Sequence, residues 1–579
     1  MVLQRDKPII VHGTASPRGE VAIMLGQNSV SGTVEKDSTW KVELPPMSAG
    51  GPYTLHVFGK DTTLIYPNIL IGDVWIAAGQ SNMVWKMGWD VTGAVEEITM
   101  ANYPGIRFFT VDRDFSRTPQ ENKAQGNWVV ASPDTVDSFS AVAYYFAKKI
   151  HLEERVPIGI VVAAIGGSTI NGWIAAGTVR AEEIDEIDTS MINPGYDDTT
   201  WETMVLPSLW ENAGYPDYNG YMWFRKTFNL EKEDSQKDLI FHLGMIDDRD
   251  VTWLNGKRIG NSRQFNLLRE YKVDDELLNE GLNALVVRVL DESGKGGLWG
   301  PADEMYVSDS NNNIIFDLSG DWKYSKDIPP QFPNDELFPA QYGVAFNGMV
   351  NPFTVLPAKG VIWYQGEADA AMAPLYEDKM KRLISTWRKA WNNEDLPFLY
   401  VQLPNYNEKV DSLVQKSSEW AALREVQKSI LSIYNTGMAV TIDVGEAEDV
   451  HPKNKKDVGE RLALAAMNIT YDDTSLVYSG PTIKSYEIIN DTVVLSFKHV
   501  GSGLHAKNDT LTGFALMGED QQFYAPVAWI EGNKIYLYSL KVTNPKELWY
   551  GWADNPNVSL FNEEGLPASP FKINLTTEK

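Results

Sequence analysis

The most informative segment of the chain is Val74-Trp75-Ile76-Ala77-Ala78-Gly79-Gln80-Ser81-Asn82-Met83. Its unbroken apolar run predicts a buried parallel strand, and the Gly-x-Ser that follows predicts a sharp turn into a helix. Such a turn places the Ser81 hydroxyl beside backbone N–H groups that have no partner within the helix. Ser81 is therefore a candidate nucleophile for a reaction that passes through an oxyanion. Taken alone, the turn also fits a serine that caps a helix.

Three later loops carry polar or glycine residues directly after apolar runs that predict strands. In chain order they are Ile165-Gly166-Gly167-Ser168, Trp363-Tyr364-Gln365-Gly366-Glu367-Ala368-Asp369 and Glu448-Asp449-Val450-His451-Pro452. In an open α/β sheet the loops at the carboxyl ends of the strands converge. We therefore expect Ser81, Gln365 and His451 to share one crevice, with the two glycines giving the backbone close access to a ligand.

A serine nucleophile needs a base to take its proton, and in ordinary serine chemistry that base is a histidine. Six of the seven histidines are assigned to predicted β domains or to a helix end: His12, His56, His151, His242, His499 and His505. His451 alone follows a strand of the α/β type, so it is the predicted general base. The Gln365 amide is a predicted donor to the oxyanion, together with the N–H groups of Ser81 and of Gly166 or Gly167.

As a set, these motifs resemble the motif blocks of SGNH-type hydrolases and, more closely, those of the sialate O-acetylesterase group, which removes acetyl esters from sugars. The resemblance rests on GQSNM at 79–83, GG at 166–167, WYQGEAD at 363–369 and DVHP at 449–452. Further phrases extend it along the chain: MVLQR at 1–5, FNGM at 346–349, WAALRE at 420–425 and WADNP at 552–556. It implies a flavodoxin-like three-layer α/β/α core and a carbohydrate O-acetylesterase that works through a serine acetyl-enzyme, without metal or cofactor.

The group that orients His451 has three candidates. The DxHP form of the acetylesterase group favours Asp449, whereas SGNH enzymes commonly place an Asp three residues before the histidine, where this chain has Glu448. A backbone carbonyl is the third candidate. Gln365 departs from the Asn that many SGNH enzymes use for the oxyanion, although it matches the QGE form of the closer group.

Four more residues are interpreted as substrate-binding or supporting: Gln80, Asn82, Glu367 and Arg424. Arg424 either binds the carboxylate of a sialate or forms a salt bridge within its helix layer. The aromatic residues Trp85, Trp173, Trp363 and Tyr364 fit core packing better than sugar stacking. Asp73, Asp369 and Asp443 lack the spacing of a metal site, so we interpret them as loop-capping residues.

The composition excludes several classes of function. A net charge of −27 without a basic stripe argues against nucleic acid and anionic membrane surfaces as partners. No run approaches the roughly 20 apolar residues of a membrane span. The absence of cysteine excludes disulfides, thiolate catalysis and thiolate metal sites, and it suits a bacterial protein. We expect a periplasmic or extracellular location, with the signal peptide missing from this sequence.

A chain of 579 residues is too long for one hydrophobic core. Short alternating runs predict an N-terminal β-sandwich over 1–68 and a β domain over 476–579. Strands that alternate with helices predict an SGNH catalytic domain in two parts, 69–194 and 323–475. Between them, 195–322 resembles the jelly-roll sugar-binding domains attached to many glycosidases, inserted as a unit.

The sequence predicts an O-acetylated glycan or sialic acid as the ligand and leaves several functions to compare. The predicted activity is that of a sialate O-acetylesterase. Acetylxylan or another plant polysaccharide is the alternative substrate, and the negative net charge of the protein slightly favours such a neutral glycan. The rival class is a glycan-binding protein without catalysis, which would not need Ser81, Gln365 and His451 as a set. A lipase or thioesterase would need an exposed apolar lid, and the sequence has no long apolar loop to supply one.

Overall fold

The computed structural model describes residues 1–121, 125–175, 190–215, 218, 220–262, 264–291, 295–326, 341–410 and 412–575. The chain divides into two compact units, Met1–Val179 with Leu337–Lys579, and Arg180–Glu336. The first unit contains an α/β sheet and a β region at either end of the chain, and the described part of the second consists of strands and short helical turns. None of the described helices is long and apolar enough to cross a membrane.

The N-terminal region is built from seven strands: β1 (Val2–Gln4), β2 (Ile9–Thr14), β3 (Glu20–Leu25), β4 (Asn28–Thr33), β5 (Thr39–Leu44), β6 (Gly50–Phe58) and β7 (Thr63–Gly79). The alternating burial along β3 and β5 forms the apolar side of this region, as a half-buried strand requires. Strand β7 pairs with β6 in its first half and with the central sheet in its second. The predicted boundary between residues 68 and 69 therefore falls inside one continuous strand.

The first part of the α/β region continues with α1 (Ser81–Val84), α2 (Ala94–Met100), β8 (Tyr103–Thr110), β9 (Trp128–Ala131), α3 (Ala141–Glu154) and β10 (Ile158–Ala164). The described strands of the second unit are β11 (Glu202–Leu206), β12 (Ser208–Leu209), β13 (Gly220–Leu230), β14 (Leu239–Asp247), β15 (Arg249–Leu254), β16 (Lys257–Ser262), β17 (Leu268–Val273), β18 (Gly281–Asp291), β19 (Gly297–Trp299), β20 (Met305–Asp309), β21 (Ile314–Asp317) and β22 (Gly320–Ser325).

The α/β region resumes with β23 (Gly360–Tyr364), α4 (Ala373–Ala390), β24 (Phe398–Val401), α5 (Glu419–Ser429), β25 (Thr436–Ala439) and α6 (Lys455–Thr470). The C-terminal region contains β26 (Thr482–Ile489), β27 (Thr492–Lys498), β28 (Leu504–Ala506), β29 (Phe514–Met517), β30 (Phe523–Tyr524), β31 (Val527–Glu531), β32 (Lys534–Tyr538), β33 (Glu547–Tyr550), β34 (Leu560–Asn562) and β35 (Phe571–Asn574).

The central sheet has the order β25-β24-β23-β7-β10-β8-β9 and is parallel except for the edge pair β8–β9. Successive side chains of β7 point to opposite faces. Val74, Ile76 and Ala78 pack in the core that contains the buried faces of α4 and α5. Trp75 and Ala77 pack in the core that contains α3 and α6. Both faces are covered, which is why β7 is apolar without alternation, and the predicted α/β class is confirmed.

The described strands of the second unit form two sheets, β11-β22-β13-β18-β15-β16 and β12-β19-β14-β20-β21, with β17 added to β14. Side chains from both sheets share one apolar core, which includes Phe224, Phe241 and Leu285. The predicted hairpin turn is present between β15 and β16, where Asn255 and Gly256 both have positive φ angles of 50° and 86°.

One predicted strand is wrong in its extent. The apolar run from Met438 to Val444 predicts a single strand, but β25 ends at Ala439. The Val440 carbonyl accepts a hydrogen bond from the Arg461 guanidinium rather than from a backbone N–H group of a neighbouring strand. Ile442 and Val444 are still buried, so the run reflects burial rather than strand pairing. The loop that carries His451 therefore begins earlier than the sequence indicates.

Candidate active site

The strand register places three of the four predicted loops level with one another. Ala164, the last residue of β10, and Tyr364, the last residue of β23, both pair with Gly79 at the end of β7. Gly79 has a φ of 139°, and a Cβ atom there would lie 2.0 Å from the Tyr364 carbonyl oxygen. Only glycine fits this close approach, so the turn that carries Ser81 depends on it.

The structure brings Ser81 and His451 into direct contact across 370 residues of chain. His451 Nε2 lies 2.8 Å from Ser81 Oγ, within hydrogen-bond reach for proton transfer. Ser81 is the first residue of α1, whose N-cap is Gln80, and no side chain caps this helix. The helix-capping role considered for Ser81 is therefore wrong, because its hydroxyl faces the imidazole.

Asp449 contacts His451 twice through the same oxygen. Its Oδ1 lies 3.2 Å from His451 Nδ1 and accepts a hydrogen bond of 2.8 Å from the His451 backbone N–H. The Asp449 side chain is 43% exposed and that of His451 24% exposed, so water partly screens the pair. Glu448 is exposed, and no hydrogen bond from it to His451 is present among the described residues. Of the two carboxylates, the geometry favours Asp449 as the group that orients the imidazole.

His451 lies in a partly apolar environment. Its ring stacks on Trp85 with the ring centres 4.5 Å apart and the planes at 19°. Burial lowers the pKa of His451, the nearby Lys455 ammonium lowers it further, and Asp449 acts in the opposite direction. A lowered pKa keeps the imidazole neutral at physiological pH, which is the form a general base requires.

Two of the three predicted sources of oxyanion donors are placed beside Ser81. A Cβ atom on Gly166 would lie 3.7 Å from the Ser81 Cβ, so the backbone of the loop at 165–168, here called the glycine loop, adjoins Ser81. Gly167 has a φ of 68°, which favours glycine at that position. Ser81 and the glycine backbone therefore lie close together, as two donors to one oxyanion must.

The predicted oxyanion role of Gln365 is wrong in this arrangement. Its Nε2 donates to Asp369 Oδ2 at 2.6 Å and to the Ser168 carbonyl at 3.2 Å, which uses both amide protons. Its Oε1 accepts from Tyr376 Oη at 2.8 Å, and the side chain is fully buried. Gln365 instead joins the glycine loop to the loop after β23. The sequence places the amide at the right strand end but cannot show which way it points.

Gln80, Asn82 and Glu367 connect the loops rather than facing an open crevice. Gln80 Oε1 accepts hydrogen bonds from the backbone N–H groups of residues 366 and 368. Asn82 Nδ2 donates to Glu367 Oε1 at 2.6 Å and to the Val450 carbonyl at 3.0 Å. Burial raises the pKa of Glu367. These contacts favour the supporting interpretation of the three residues over substrate contact.

Arg424 is not available to a substrate, and that part of the prediction is wrong. The guanidinium is fully buried and donates to the backbone carbonyls of residues 403, 404, 553 and 554, at 2.6 to 2.9 Å. Burial lowers its pKa to about 9. Arg424 thus ties α5 to the chain segment that follows β33, and the alternative of a salt bridge within the helix layer is also replaced by these carbonyl bonds.

The aromatic residues separate into two groups. Trp173, Trp363 and Tyr364 are at most 1% exposed, which confirms core packing. Trp85 is half-buried against His451, and its Nε1 donates to the Trp89 carbonyl at 2.6 Å. Trp89 is 44% exposed and lies edge-on to Trp85 at 5.6 Å, so an aromatic surface continues outward from the imidazole.

The three aspartates are in separate places with separate partners. Asp73 pairs with Arg5, Asp369 accepts from the Ile170 N–H, and Asp443 pairs with Arg461. Asp73 and Asp443 are therefore ion-pair partners rather than loop caps. Asp369 does cap a backbone N–H group, as the sequence predicts. Among the described residues, no three His, Asp or Glu side chains are grouped in a way that could hold a metal ion.

Sequence reasoning missed Lys455, whose side chain is fully buried at the start of α6 and donates to Asn82 Oδ1. A signal for it exists in the sequence. Lys455 and Lys456 begin a helix, where the positive end of the helix dipole disfavours cations. A lysine in that position indicates a specific partner.

The comparisons with known proteins agree with this geometry. The family described as carbohydrate esterase, sialic acid-specific acetylesterase, matches residues 71–200 and 341–468. These ranges contain Ser81, both glycines of the glycine loop and His451. Residues 71–200 and 341–468 are therefore similar to a carbohydrate esterase domain of the sialic acid-specific acetylesterase family. The protein is an esterase.

Relatives of the esterase domain extend the likeness to most of the chain. A sialate O-acetylesterase from Mus musculus is 22% identical over 86% of this chain and 77% of its own length. One from Rattus norvegicus is 23% identical over 100% of this chain and 93% of its own. A crystal structure of a carbohydrate acetylesterase from Xanthomonas citri has a TM-score of 0.69 and 28% identity, covering 99% of this chain and 97% of that one.

Proposed function

We propose that this esterase is a carbohydrate O-acetylesterase with a serine mechanism. The observation that carries the proposal is the 2.8 Å contact between Ser81 Oγ and His451 Nε2, with Asp449 against the other ring nitrogen. A hydroxyl, a neutral imidazole and a carboxylate in that sequence of contacts can activate an alcohol for attack on an ester.

The reaction follows from these positions. His451 takes the proton of Ser81 as Oγ attacks the acetyl carbonyl, and the N–H groups of Ser81 and of the glycine loop at Gly166 and Gly167 bind the oxyanion. His451 then protonates the departing sugar oxygen, which leaves an acetyl group on Ser81. Water, deprotonated by the same imidazole, releases acetate and restores the enzyme.

We propose O-acetylated sialic acid as the substrate, in keeping with the family and the two mammalian relatives. A sialate carboxylate requires a cation, and Arg424 is occupied by backbone carbonyls. Lys86 Nζ lies 5.2 Å from the centre of the exposed Trp89 ring, and in the described part of the chain it forms no ion pair with a carboxylate. Together, Lys86 and Trp89 offer a charged and an aromatic contact for a sialic acid beside the Ser81–His451 pair.

An acetylated neutral polysaccharide such as xylan is the second candidate, and the net charge of −27 favours it. Glycan binding without catalysis is disfavoured by the contact between Ser81 and His451.

The first test is acetate release from 4-nitrophenyl acetate by the wild type and by Ser81→Ala. Release that is lost in Ser81→Ala supports the serine mechanism, and release that persists in the variant refutes it. A panel of acetylated sialosides and acetylxylan then identifies the sugar.

Lys86→Gln sharpens the choice of sugar. For a sialate esterase, KM for the acetylated sialoside should rise roughly three- to fivefold, since a partly exposed ion pair is worth about 0.7 to 1 kcal/mol, while KM for 4-nitrophenyl acetate is unaffected. An equal effect on acetylxylan would refute the carboxylate contact.

We also propose that the α/β domain is an SGNH-type core, that 195–322 is a jelly-roll and that 1–68 and 476–579 are β-sandwich-like domains. The two covered faces of the central sheet and the two sheets around Phe224 support this assignment. A periplasmic or extracellular location is also proposed, and cell fractionation of a tagged protein would test it.

A further inference from the structure

Lys455 is the one lysine with a fully buried side chain among the described residues. It stands at the first position of α6, where the helix dipole opposes a positive charge. Burial of an ammonium also costs free energy unless specific groups receive it. The position is therefore electrostatically unfavourable in two ways, which requires an explanation beyond helix formation.

The contacts of Lys455 lead to the catalytic pair. Its Nζ donates to Asn82 Oδ1 and lies 5.4 Å from the centre of the Trp85 ring, on which His451 stacks. Because Lys455 fixes the oxygen of the Asn82 amide, the Nδ2 group must face Glu367 and the Val450 carbonyl, as it does. Val450 directly precedes His451, so one amide joins the loops of Ser81, Glu367 and His451.

We infer that Lys455 is a positioning residue that holds His451 against Ser81 through Asn82 and Trp85 and whose charge disfavours the resting imidazolium. This inference rests on the proposed serine mechanism and adds to it the residue that sets the state of its base. The positive charge opposes premature protonation of the imidazole, and the Asn82 amide keeps the loop geometry fixed.

Charged groups from three segments of the chain surround His451 and Lys455. His451 faces Asp449 from its own loop and Lys455 from α6. Lys455 faces Glu367 from the loop after β23, with weaker effects from Asp449 and Glu446. Burial lowers the pKa of Lys455 to about 7, against the opposing effect of Glu367. At the more acid pH values where the imidazole titrates, Lys455 is mostly protonated and its charge acts on His451.

The size of the effect follows from the distances to the Trp85 ring, which place Nζ within about 10 Å of the imidazole centre. At an effective dielectric constant between about 20 and 80, removal of one charge at that distance raises the imidazole pKa by roughly 0.3 to 1.2 units.

The test compares Lys455→Met, Lys455→Gln and Lys455→Arg in the full chain by the pH dependence of kcat/KM on 4-nitrophenyl acetate. In Lys455→Met and Lys455→Gln, the decline of kcat/KM at low pH should move to higher pH by roughly 0.3 to 1.2 units. Lys455→Arg keeps the positive charge, so its decline should stay at the wild-type pH. Gln can still donate to Asn82 Oδ1, so its plateau rate should exceed that of Met. Lys456→Gln, an exposed neighbour with the same change in net charge, is the matched control and should leave the limb in place.

A second readout does not depend on catalysis. NMR titration of labelled histidine, with the His451 signal assigned by its absence in His451→Asn, measures the imidazole pKa directly. If the wild type cleaves no ester, the serine mechanism fails, and the NMR shift still decides the role of Lys455. An unchanged His451 pKa in both Lys455→Gln and Lys455→Met, or an equal shift in Lys455→Arg, would overturn the inference. If Lys455→Met does not fold, the comparison of Gln with Arg decides.

Discussion

Replacement of Asp449 by Asn should reduce kcat/KM by about 10- to 30-fold. The change keeps an oxygen that can accept from His451 Nδ1 and removes only the charge that, in the proposed mechanism, stabilises the imidazolium formed as Ser81 attacks. Two unit charges about 4 Å apart interact by about 1 kcal/mol in water and about 4 kcal/mol at an effective dielectric constant of 20.

The exposure of Asp449 sets the value within that range. With 43% of the side chain open to solvent, the interaction lies towards the aqueous end, at about 1.5 to 2 kcal/mol. Each 1.36 kcal/mol is a factor of ten in rate, which gives the expected loss. The second hydrogen bond of Asp449, to the His451 N–H, survives in Asn, so the loop conformation should be kept.

The assay is the steady-state hydrolysis of 4-nitrophenyl acetate near pH 7.5, where the imidazole is neutral in either protein. Glu448→Gln is the matched control, because it makes the same change in charge one residue away on an exposed side chain. It should retain at least half of the wild-type kcat/KM. A loss below twofold in Asp449→Asn, or an equal loss in Glu448→Gln, would refute the assignment of Asp449 and favour another orienting group.

Two further predictions concern pH and stability. The pKa of His451 is lowered by burial and by Lys455. We therefore expect kcat/KM to stay level at neutral pH and to decline only as the pH falls through a value below 6.5, the ordinary pKa of histidine. A decline centred above pH 6.5 in the pH–rate profile would contradict this. Arg424→Met leaves four carbonyls without their buried donor and should destabilise the region around α5 by about 3 to 5 kcal/mol. Proteolysis in urea measures this loss of stability, and KM for a sialoside should not change. A raised KM without loss of stability would restore the substrate role of Arg424.

Local sequence patterns are enough to predict the α/β class and the two residues of the proposed catalytic pair. Long apolar runs such as the one before Gly79 are typical of strands buried on both faces, and this pattern is local. The convergence of Ser81 and His451 also follows from sequence, because parallel strands bring their carboxyl ends to one edge of the sheet. The level register of β7, β10 and β23 is the physical basis of that rule here.

The roles of the amide, guanidinium and ammonium groups depend on contacts between segments that are distant in the chain. Gln365, Arg424 and Lys455 each carry donors that suit a substrate as well as a buried acceptor, and the sequence does not show which acceptor lies within reach. Their partners, Asp369, the carbonyls near residue 554 and Asn82, come from other elements of the fold. A hydrogen bond depends on distances of a few tenths of an ångström between distant segments, whereas a strand or helix depends on periodicity that neighbouring residues already carry.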